Sequence, residues 1–213
     1  MKTDELISML ASGAEAIVPG APRRRYATAL GWGALGALVL MAMMLGVRPD
    51  LAEAVRLPMF WVKLAFPATL LAAALVAALR LSRPGARSGA TPVAIAAPVV
   101  AIWLLAAVSL LAAAPGEREN LLFGATWASC PFNIAILSAP VFAVVLWAMK
   151  GLAPTRLALA GAAAGLLSGA TGAVVYTLHC PEMAAPFLAV WYLLGMLIPT
   201  TIGAALGPRV LRW

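Results

Sequence analysis

Charged residues are scarce in this chain. Of its 213 residues, 11% are Asp, Glu, Lys or Arg, against 63% hydrophobic residues, and it has two cysteines and one histidine. A single soluble core of this length cannot hide so much apolar surface from water, which excludes an ordinary soluble domain. Two cysteines are also too few for a disulfide scaffold. The composition predicts one membrane domain.

Several chemical motifs are missing as well. The chain has no Cys-x-x-Cys pair, no Gly-rich phosphate loop and no paired carboxylates in a water-accessible place. No Asp, Glu or Arg is predicted at mid-depth in the membrane, where proton-coupled pumps and many ion carriers need such groups. These absences argue against an enzyme and weigh against transport.

Six apolar segments account for most of the sequence. Each is close to the ~20 residues that cross ~30 Å of hydrocarbon, and helix is the open-chain structure that satisfies the backbone there. The predicted fold class is therefore all-α: a polytopic membrane protein with six transmembrane helices in residues 26–213, preceded by a short N-terminal cytoplasmic amphipathic helix. The predicted spans are 27–47, 61–79, 93–114, 131–149, 157–178 and 187–206.

Basic residues are concentrated in alternate loops and at the two termini. The positive-inside rule places that side in the cytoplasm, and an even number of spans agrees with both termini lying there. The net charge of +7 therefore reflects topology and does not predict nucleic-acid binding. The residues on this side, 11 of the 15 basic ones, are Lys2, Arg23, Arg24, Arg25, Arg80, Arg83, Arg87, Lys150, Arg156, Arg209 and Arg212.

Residues 1–25 are the predicted cytoplasmic, partner-binding segment. Apolar residues recur there at helical spacing, and two acids fall in the positive first turn of a helix expected from about 4 to 16. The acidic first turn disfavours an anionic lipid surface and favours docking in the groove of a protein partner, although both roles are open. The candidate contact residues are Asp4, Glu5, Leu6 and Leu10.

Both cysteines precede a proline, in Ser129-Cys130-Pro131-Phe132 and in His179-Cys180-Pro181-Glu182. The predicted topology places them on one outer, oxidising face, at the ends of spans four and five. They can form a disulfide if those spans pack side by side. Alternatively, with His179 and Glu182, they can bind a soft metal ion such as Cu, Zn or Cd, although the spacing matches no standard zinc motif. A static bridge or two buried thiols is the structural alternative.

Three further expectations concern the spans themselves. Lys63, near the outer end of span two, is expected to extend its ammonium to the membrane interface. Trp103 lies mid-span and is expected in a packing interface. Span five carries a small-residue face for close helix packing, which we expect to carry a shift between spans four and five. That face consists of Gly161, Gly165 and Gly169.

Stretches along the whole chain resemble the NrsF family of membrane anti-sigma factors, which are negative regulators of a sigma-F-type extracytoplasmic-function (ECF) sigma factor. The stretches that carry the resemblance are Met1-Lys-Thr-Asp-Glu-Leu-Ile, Phe60-Trp-Val-Lys-Leu64, Cys130-Pro131, Ala153-Pro-Thr-Arg156, His179-Cys-Pro-Glu182, Trp191-Tyr-Leu-Leu-Gly195 and Gly207-Pro-Arg-Val-Leu-Arg-Trp213.

The resemblance implies a bacterial inner-membrane protein that holds an ECF sigma factor inactive. It also implies that Cys130 and Cys180 matter for sensing heavy-metal or oxidative stress. Residues 1–25 contain no His or Cys, so the usual zinc-binding anti-sigma domain is absent and the short helix has to hold the partner, alone or together with the Arg-rich 80–92 loop. The alternative function is a small metal-handling transporter or permease that uses Cys130, Cys180 and His179 as its entry site.

Overall fold

The computed structural model describes residues 3–12, 21–83, 85, 89–152 and 154–212. These residues form helices joined by turns, with no strand among them. In chain order the helices are α1 (Thr3–Ser12), α2 (Ala21–Met44), α3 (Leu51–Ala54), α4 (Pro58–Leu81), α5 (Thr91–Ala112), α6 (Arg118–Phe123), α7 (Cys130–Lys150), α8 (Leu157–Tyr176), α9 (Ala185–Phe187) and, after a π-helical turn (Leu188–Tyr192), α10 (Leu193–Val210).

Six stretches of helix in the described residues are long and apolar enough to cross a membrane. They are Pro22–Met44, Pro58–Leu81, Thr91–Ala112, Cys130–Lys150, Leu157–Tyr176 and Ala185–Val210. The prediction of an all-α, polytopic fold with six spans is confirmed. Since α2 begins at Ala21, the three successive arginines that follow lie inside this helix, and the predicted boundary at residue 25 falls within it.

The N-terminal helix α1 covers Thr3–Ser12, where the sequence predicts a helix from about 4 to 16. Residues 13–20 lie outside the described residues, as do the side chains of Leu6 and Leu10. The described side chains of α1 are exposed, including the acidic pair Asp4 and Glu5 of its first turn.

Short connections make consecutive spans run in opposite directions, so the bundle has two ends. The cysteine end holds the C-termini of α2, α5 and α8 and the N-termini of α4, α7 and α9. The arginine end holds the N-terminus of α2, with Arg23, Arg24 and Arg25, and the C-termini of α4, α7 and α10.

Helix α8 is the centre of the bundle and packs against α4, α7 and α10. Within its apolar window 78% of the residues are buried, compared with 11% for α5. Small residues explain this position, because a helix rich in Gly and Ala lets neighbouring backbones approach closely. At Gly161 and Gly165 an added Cβ would overlap the carbonyl oxygens of Gly203 and Pro199 in α10.

Helix α5 lies at the periphery and packs against α4 and α9. Trp103, midway along it, is 55% exposed. The expectation that Trp103 lies in a packing interface is wrong for this chain, because the side of α5 that carries it has no neighbouring helix within the described structure.

Candidate functional site

The two cysteines meet at the cysteine end of the bundle. Cys130 is the first residue of α7, and Cys180 lies in the connection that follows α8. Since α7 and α8 pack side by side, both side chains reach the same place, where they are fully buried free thiols. The two thiols lie close enough to influence each other's ionisation.

The connection that carries Cys180, residues 177–184, is called the cysteine loop here. It is fastened to residues 45–50, the segment that follows α2. The backbone N–H of Arg48 donates to the carbonyl of Leu178 at 3.0 Å, and its Nη1 donates to the carbonyl of Cys180 at 3.2 Å. The Nδ1 of His179 hydrogen-bonds the carbonyl of Gly46 at 2.9 Å. The cysteine loop and the end of α2 are therefore directly connected.

Lys63 of α4 holds the cysteine loop at a second point. Its Nζ donates to the carbonyls of Cys180 at 2.6 Å and Glu182 at 2.7 Å, and lies 5.5 Å from the centroid of the Tyr192 ring. The side chain is 0% exposed, so the expectation that it extends to the membrane interface is wrong. Inside the bundle the carbonyls of the loop accept hydrogen bonds from this ammonium. They replace the water molecules that would hydrate it in solution.

Arg48 has its own counter-ion. Its Nε and Nη2 each donate to a carboxylate oxygen of Asp50 at 2.7 Å, in a bidentate ion pair. Hydrogen bonds from Arg48 hold the pKa of Asp50 below its usual value, and the same bonds raise the pKa of Arg48. Lys63, by contrast, forms no ion pair with a carboxylate in the described part of the chain.

Four neighbouring groups lower the pKa of Cys180. They are the thiol of Cys130, the ammonium of Lys63, the hydroxyl of Tyr192 and the backbone N–H of Glu182. The hydrogen bond from Cys130 is the largest cause that lowers the pKa of Cys180 below its usual value, followed by the charge of Lys63, and together they outweigh the opposing effect of burial. The buried Tyr192 hydroxyl has no hydrogen-bond partner among the described residues.

The other two predicted site residues, His179 and Glu182, form hydrogen bonds away from the two thiols. The Glu182 carboxylate accepts from the N–H of Ala125 at 2.8 Å and the hydroxyl of Thr126 at 3.3 Å. Gly124 precedes them with φ +54°, and a Cβ there would lie 2.5 Å from a carboxylate oxygen of Glu182. The His179 ring packs beside Tyr176 while its Nδ1 bonds Gly46. The residues that the structure describes do not gather three His, Cys, Asp or Glu side chains at one point.

The predicted glycine face of α8 lies against α10. An added Cβ at Gly169 would meet the carbonyl oxygen of Met196 at 2.9 Å, in line with the contacts of Gly161 and Gly165. The close contact with α7 is made at a different glycine, Gly172, where an added Cβ would lie 2.9 Å from the carbonyl oxygen of Ile134. The face that the sequence identifies is thus not the face that adjoins Cys130.

Comparison with known proteins identifies the family of this chain. Residues 10–213 match the family described as NrsF, negative regulator of sigma F. The chain belongs to the NrsF family. It is 58% identical to the probable anti-sigma-F factor NrsF of Azospira oryzae and 43% identical to the anti-sigma-F factor NrsF of Caulobacter vibrioides, in both cases over 100% of each chain. No solved structure matches the chain.

Membership of the NrsF family has two consequences. The family is a regulatory and non-enzymatic kind of protein, and an anti-sigma factor implies a sigma factor as its partner. The alternative of a small metal-handling transporter is not favoured by these relatives.

Sequence reasoning missed residues that complete the site in this NrsF-family chain. A lone lysine near the start of an apolar span was the available signal, because an ionisable group inside a span is a candidate functional residue. Tyr176 and Tyr192 lie on either side of Cys180 in the sequence, but nothing in the local sequence indicates that their side chains lie near the two thiols. The missed residues are Arg48, Lys63, Tyr176 and Tyr192.

Proposed function

We propose that this chain is an anti-sigma factor of the bacterial inner membrane, which holds an ECF sigma factor inactive and releases it when Cys130 and Cys180 react under oxidative or heavy-metal stress. The single observation that carries the proposal is that the buried Cys130 thiol, at the start of α7, lies beside the buried Cys180 thiol of the cysteine loop, which is hydrogen-bonded to the end of α2. The far end of α2 leads towards α1.

The proposed orientation places the arginine end of the bundle in the cytoplasm. The excess of Lys and Arg in the loops at that end supports it, as does the run Arg23-Arg24-Arg25 at the start of α2. The cysteine end then faces the oxidising compartment of a bacterium, where a thiol pair is open to oxidation.

The proposed sigma-binding element is α1 within residues 1–25. Its exposed first-turn acids, Asp4 and Glu5, support a charged contact, and the exposed Ile7 and Met9 supply apolar surface. Leu6 and Leu10 belong to the same proposed contact through their spacing along the helix. A ten-residue helix is marginal alone in water, so it is suited to docking on a partner.

Oxidation to a disulfide is the input that the geometry supports best. Two neighbouring buried thiols need little movement to bond, whereas Zn or Cd prefers four donors, and the Nδ1 of His179 and the Glu182 carboxylate have other partners. A soft metal ion such as Cu, Zn or Cd is a second input, since it consumes the same thiols. Either input has to favour the released state by ~5.5 kcal/mol to reverse a 99:1 equilibrium.

The proposed route from the input to α1 runs through the cysteine loop and α2. A bond between Cys130 and Cys180 changes the position of the cysteine loop. Arg48 and Lys63 donate hydrogen bonds to the carbonyls of this loop. Arg48 and Gly46 follow directly after α2, so a displaced loop alters the anchoring of that helix. This route differs from the expected one through the glycine face of α8, since those glycines adjoin α10.

A sigma-dependent reporter tests the input. Cys130→Ser and Cys180→Ser are expected to abolish induction by a hydroperoxide and by cadmium, while repression without stress persists. Ser129→Ala, at an exposed neighbouring position, serves as the matched control and keeps the response. Induction equal to wild type in both cysteine variants refutes the sensing step.

Co-purification with the sigma factor tests the output. Deletion of residues 1–22, or the charge reversal Asp4→Lys with Glu5→Lys, is expected to abolish binding and to release sigma activity without stress. The control reverses a second pair of exposed acids, Glu117 and Glu119, at the cysteine end. Undiminished binding after the deletion contradicts the assignment of α1.

A further inference from the structure

We propose that an apolar groove at the arginine end of the bundle binds one anionic phospholipid of the surrounding bilayer, with an acyl chain in the groove and the phosphate beside the arginines at its mouth. The inference goes beyond the proposed function. It shares with that function only the placement of the six spans in a bilayer, and it involves neither the cysteines nor a sigma factor.

The groove lies where the peripheral helix α5 is separated from the centre of the bundle. Helix α5 packs against α4 and α9, and a cavity of about 530 Å³ lies between it and the helices α8 and α10. Small side chains such as Ala96 of α5 and Ala163 of α8 leave this gap. Val100 and Leu159 on its walls are 54% and 52% exposed, so the groove opens to the surface that faces lipid.

The groove is confined to one half of the membrane. It begins at the arginine end, beside Leu81, the last residue of α4, and its lining on α5 covers residues 92–100, about 12 Å of helix. One leaflet supplies roughly 15 Å of the hydrocarbon core. Trp103 lies on the same face of α5, one turn beyond Val99, near the inner end of the groove. The length of the groove therefore matches the acyl-chain layer of the leaflet at the arginine end.

The walls of the groove require an apolar occupant. Its two hydroxyl groups are bonded within the protein: Thr200 donates to the carbonyl of Met196 at 2.7 Å, and Thr91 accepts from Nη1 of Arg80 at 3.2 Å. The other lining residues are Ala, Leu, Ile, Val and Pro. A flexible hydrocarbon chain fills such a gap without leaving a polar group unpaired. The chain also joins α5 to the central helices across the gap.

The mouth of the groove has the charge that an anionic headgroup requires. Arg80, in the last turn of α4, lies at the groove through its bond to Thr91, and Arg156 directly precedes α8, one turn before Leu159. The arginine end carries basic side chains without acidic ones over residues 21–213, because the acids of that range lie at the cysteine end: Asp50, Glu53, Glu117, Glu119 and Glu182. Basic residues at this depth attract anionic lipids.

The direction of two lining helices adds to this charge. Helices α5 and α8 both begin at the arginine end, so the positive ends of their dipoles lie at the level of the lipid phosphates. The headgroup is therefore attracted by side chains and by helix ends together, while the acyl chain lies against the apolar walls.

A second copy of this chain is the other occupant that an apolar groove admits. The charge at the mouth disfavours it, because a two-fold symmetric contact brings the same surface of both copies together. Two basic mouths would then face each other without acidic partners at that end of the bundle. An anionic lipid has the opposite charge and removes this repulsion.

Native mass spectrometry of the full-length protein tests the site. The protein is placed in nanodiscs with equal parts of phosphatidylglycerol and phosphatidylcholine that carry identical acyl chains, and the lipids retained on the released protein are identified. We expect monomers that retain one phosphatidylglycerol in roughly tenfold excess over phosphatidylcholine, as two arginines beside one anionic headgroup imply. Equal retention of the two lipids, or no retained lipid, overturns the proposal. A dimer without lipid assigns the groove to a second copy and also overturns it.

Filling the groove tests the position of the acyl chain. Ala96→Phe places a large side chain in the groove and is expected to lower the retention of phosphatidylglycerol several-fold. The matched control is Ala97→Phe, at an exposed neighbouring position of α5 outside the groove. Ala94→Phe fills a smaller cavity of about 370 Å³ that also adjoins Arg80, and it is expected to keep the lipid. Loss of the lipid in either control variant, with retention in Ala96→Phe, refutes this placement of the chain.

Removal of charge tests the position of the headgroup. Arg80→Gln and Arg156→Gln are each expected to lower the retention of phosphatidylglycerol and to leave that of phosphatidylcholine unchanged. Higher salt in the nanodisc buffer should have the same effect, since it screens exposed charges. Arg56→Gln, at an exposed position of the cysteine end, is the control. Arg156→Gln carries the test if loss of the bond to Thr91 prevents Arg80→Gln from folding. An unchanged preference in both arginine variants overturns the proposal.

The outcomes separate this inference from the proposed function, because the lipid measurements use neither an oxidant nor a sigma factor. Selective retention of phosphatidylglycerol, together with a stress reporter that ignores both cysteines, supports the lipid site and refutes the sensing function. A reporter that depends on both cysteines, together with equal retention of the two lipids, overturns only the lipid site.

Discussion

Two helix contacts in this protein use glycines in different ways. The contact between α8 and α10 places backbone against backbone, because an added Cβ at Gly161 or Gly165 would overlap a carbonyl oxygen of the partner helix. The contact between α2 and α7 places Gly33 and Gly36 largely against the side chains of Val144 and Pro140, with one approach to the backbone of Val141. The apolar window of α2 is 22% buried, compared with 78% for α8.

The difference indicates which helix is suited to relay a signal. A backbone contact leaves no side chain to repack, so α8 and α10 behave as one rigid unit. Helix α2 is peripheral, is held at the cysteine end by Arg48 and Gly46, and is held at the arginine end by a hydrogen bond from Tyr26 to Ser82. The proposed relay through α2 therefore predicts stability effects in α8 and regulatory effects around α2.

The largest effect on stability is expected from Gly165→Val. A Cβ at this position overlaps the carbonyl oxygen of Pro199, so α8 and α10 have to separate, at a cost of roughly 3 kcal/mol for such overpacking. Thermal unfolding of the purified protein, followed by tryptophan fluorescence, measures the loss. Gly31→Val in α2 is the matched control, since an added Cβ there meets nothing within 4 Å. Equal losses in both variants contradict the comparison.

The largest effect on regulation is expected from Arg48→Met. This change removes the side-chain bond to the carbonyl of Cys180 and the pair with Asp50, while the backbone bond to Leu178 stays. We expect a several-fold rise in sigma-dependent reporter activity without stress and a smaller loss of stability than in Gly165→Val. The control Arg56→Met alters an exposed arginine of the same connection and leaves the reporter unchanged.

A smaller effect is expected from Tyr26→Phe at the other end of α2. The Ser82 hydroxyl donates to the carbonyl of Ala78, so Tyr26 is the donor in its 2.9 Å bond to Ser82. Loss of one such buried hydrogen bond costs about 1 kcal/mol. We expect a small fall in melting temperature and a modest rise in basal reporter activity. Thr28→Val, which removes only bonds within α2, is the control and separates the link to α4 from general effects on the helix.

The smallest effect is a pH dependence of the Arg48–Asp50 pair. Because the pKa of Asp50 is lowered in the folded state, its contribution to stability is complete above its unfolded pKa of about 3.9 and is lost as the pH falls through the lower folded value. The difference in melting temperature between wild type and Arg48→Met should therefore narrow as the pH falls below about 4. A difference that stays constant from neutral pH to pH 3 contradicts this role of Asp50.

The spans were predictable because hydropathy and helix length are local properties of the chain. The predicted segments overlap all six helices, and the main deviation, the early start of α2, reflects arginines that a helix tolerates at its water-facing end. The site was less predictable. Lys63 contacts the carbonyls of Cys180 and Glu182 across 117 and 119 residues of sequence, and no local pattern encodes such a pairing.

The glycines of α8 illustrate the same limit in a different way. Their spacing identifies a face for close packing, but it does not determine which helix packs against that face. The structure places α10 there and leaves the contact with α7 to Gly172. The expected path of a signal changes accordingly, from α8 to α2.

Composition and loop charge were enough to predict an all-α bundle of six spans and to assign both cysteines to one end of it, because these properties add up residue by residue. Only the folded chain decides that the two buried thiols lie close together, that Lys63 is buried with them, and that its ammonium bonds the carbonyl of Cys180. Those facts depend on how α4, α7, α8 and the π-helical turn pack around one point, and packing of distant segments is set by the whole bundle.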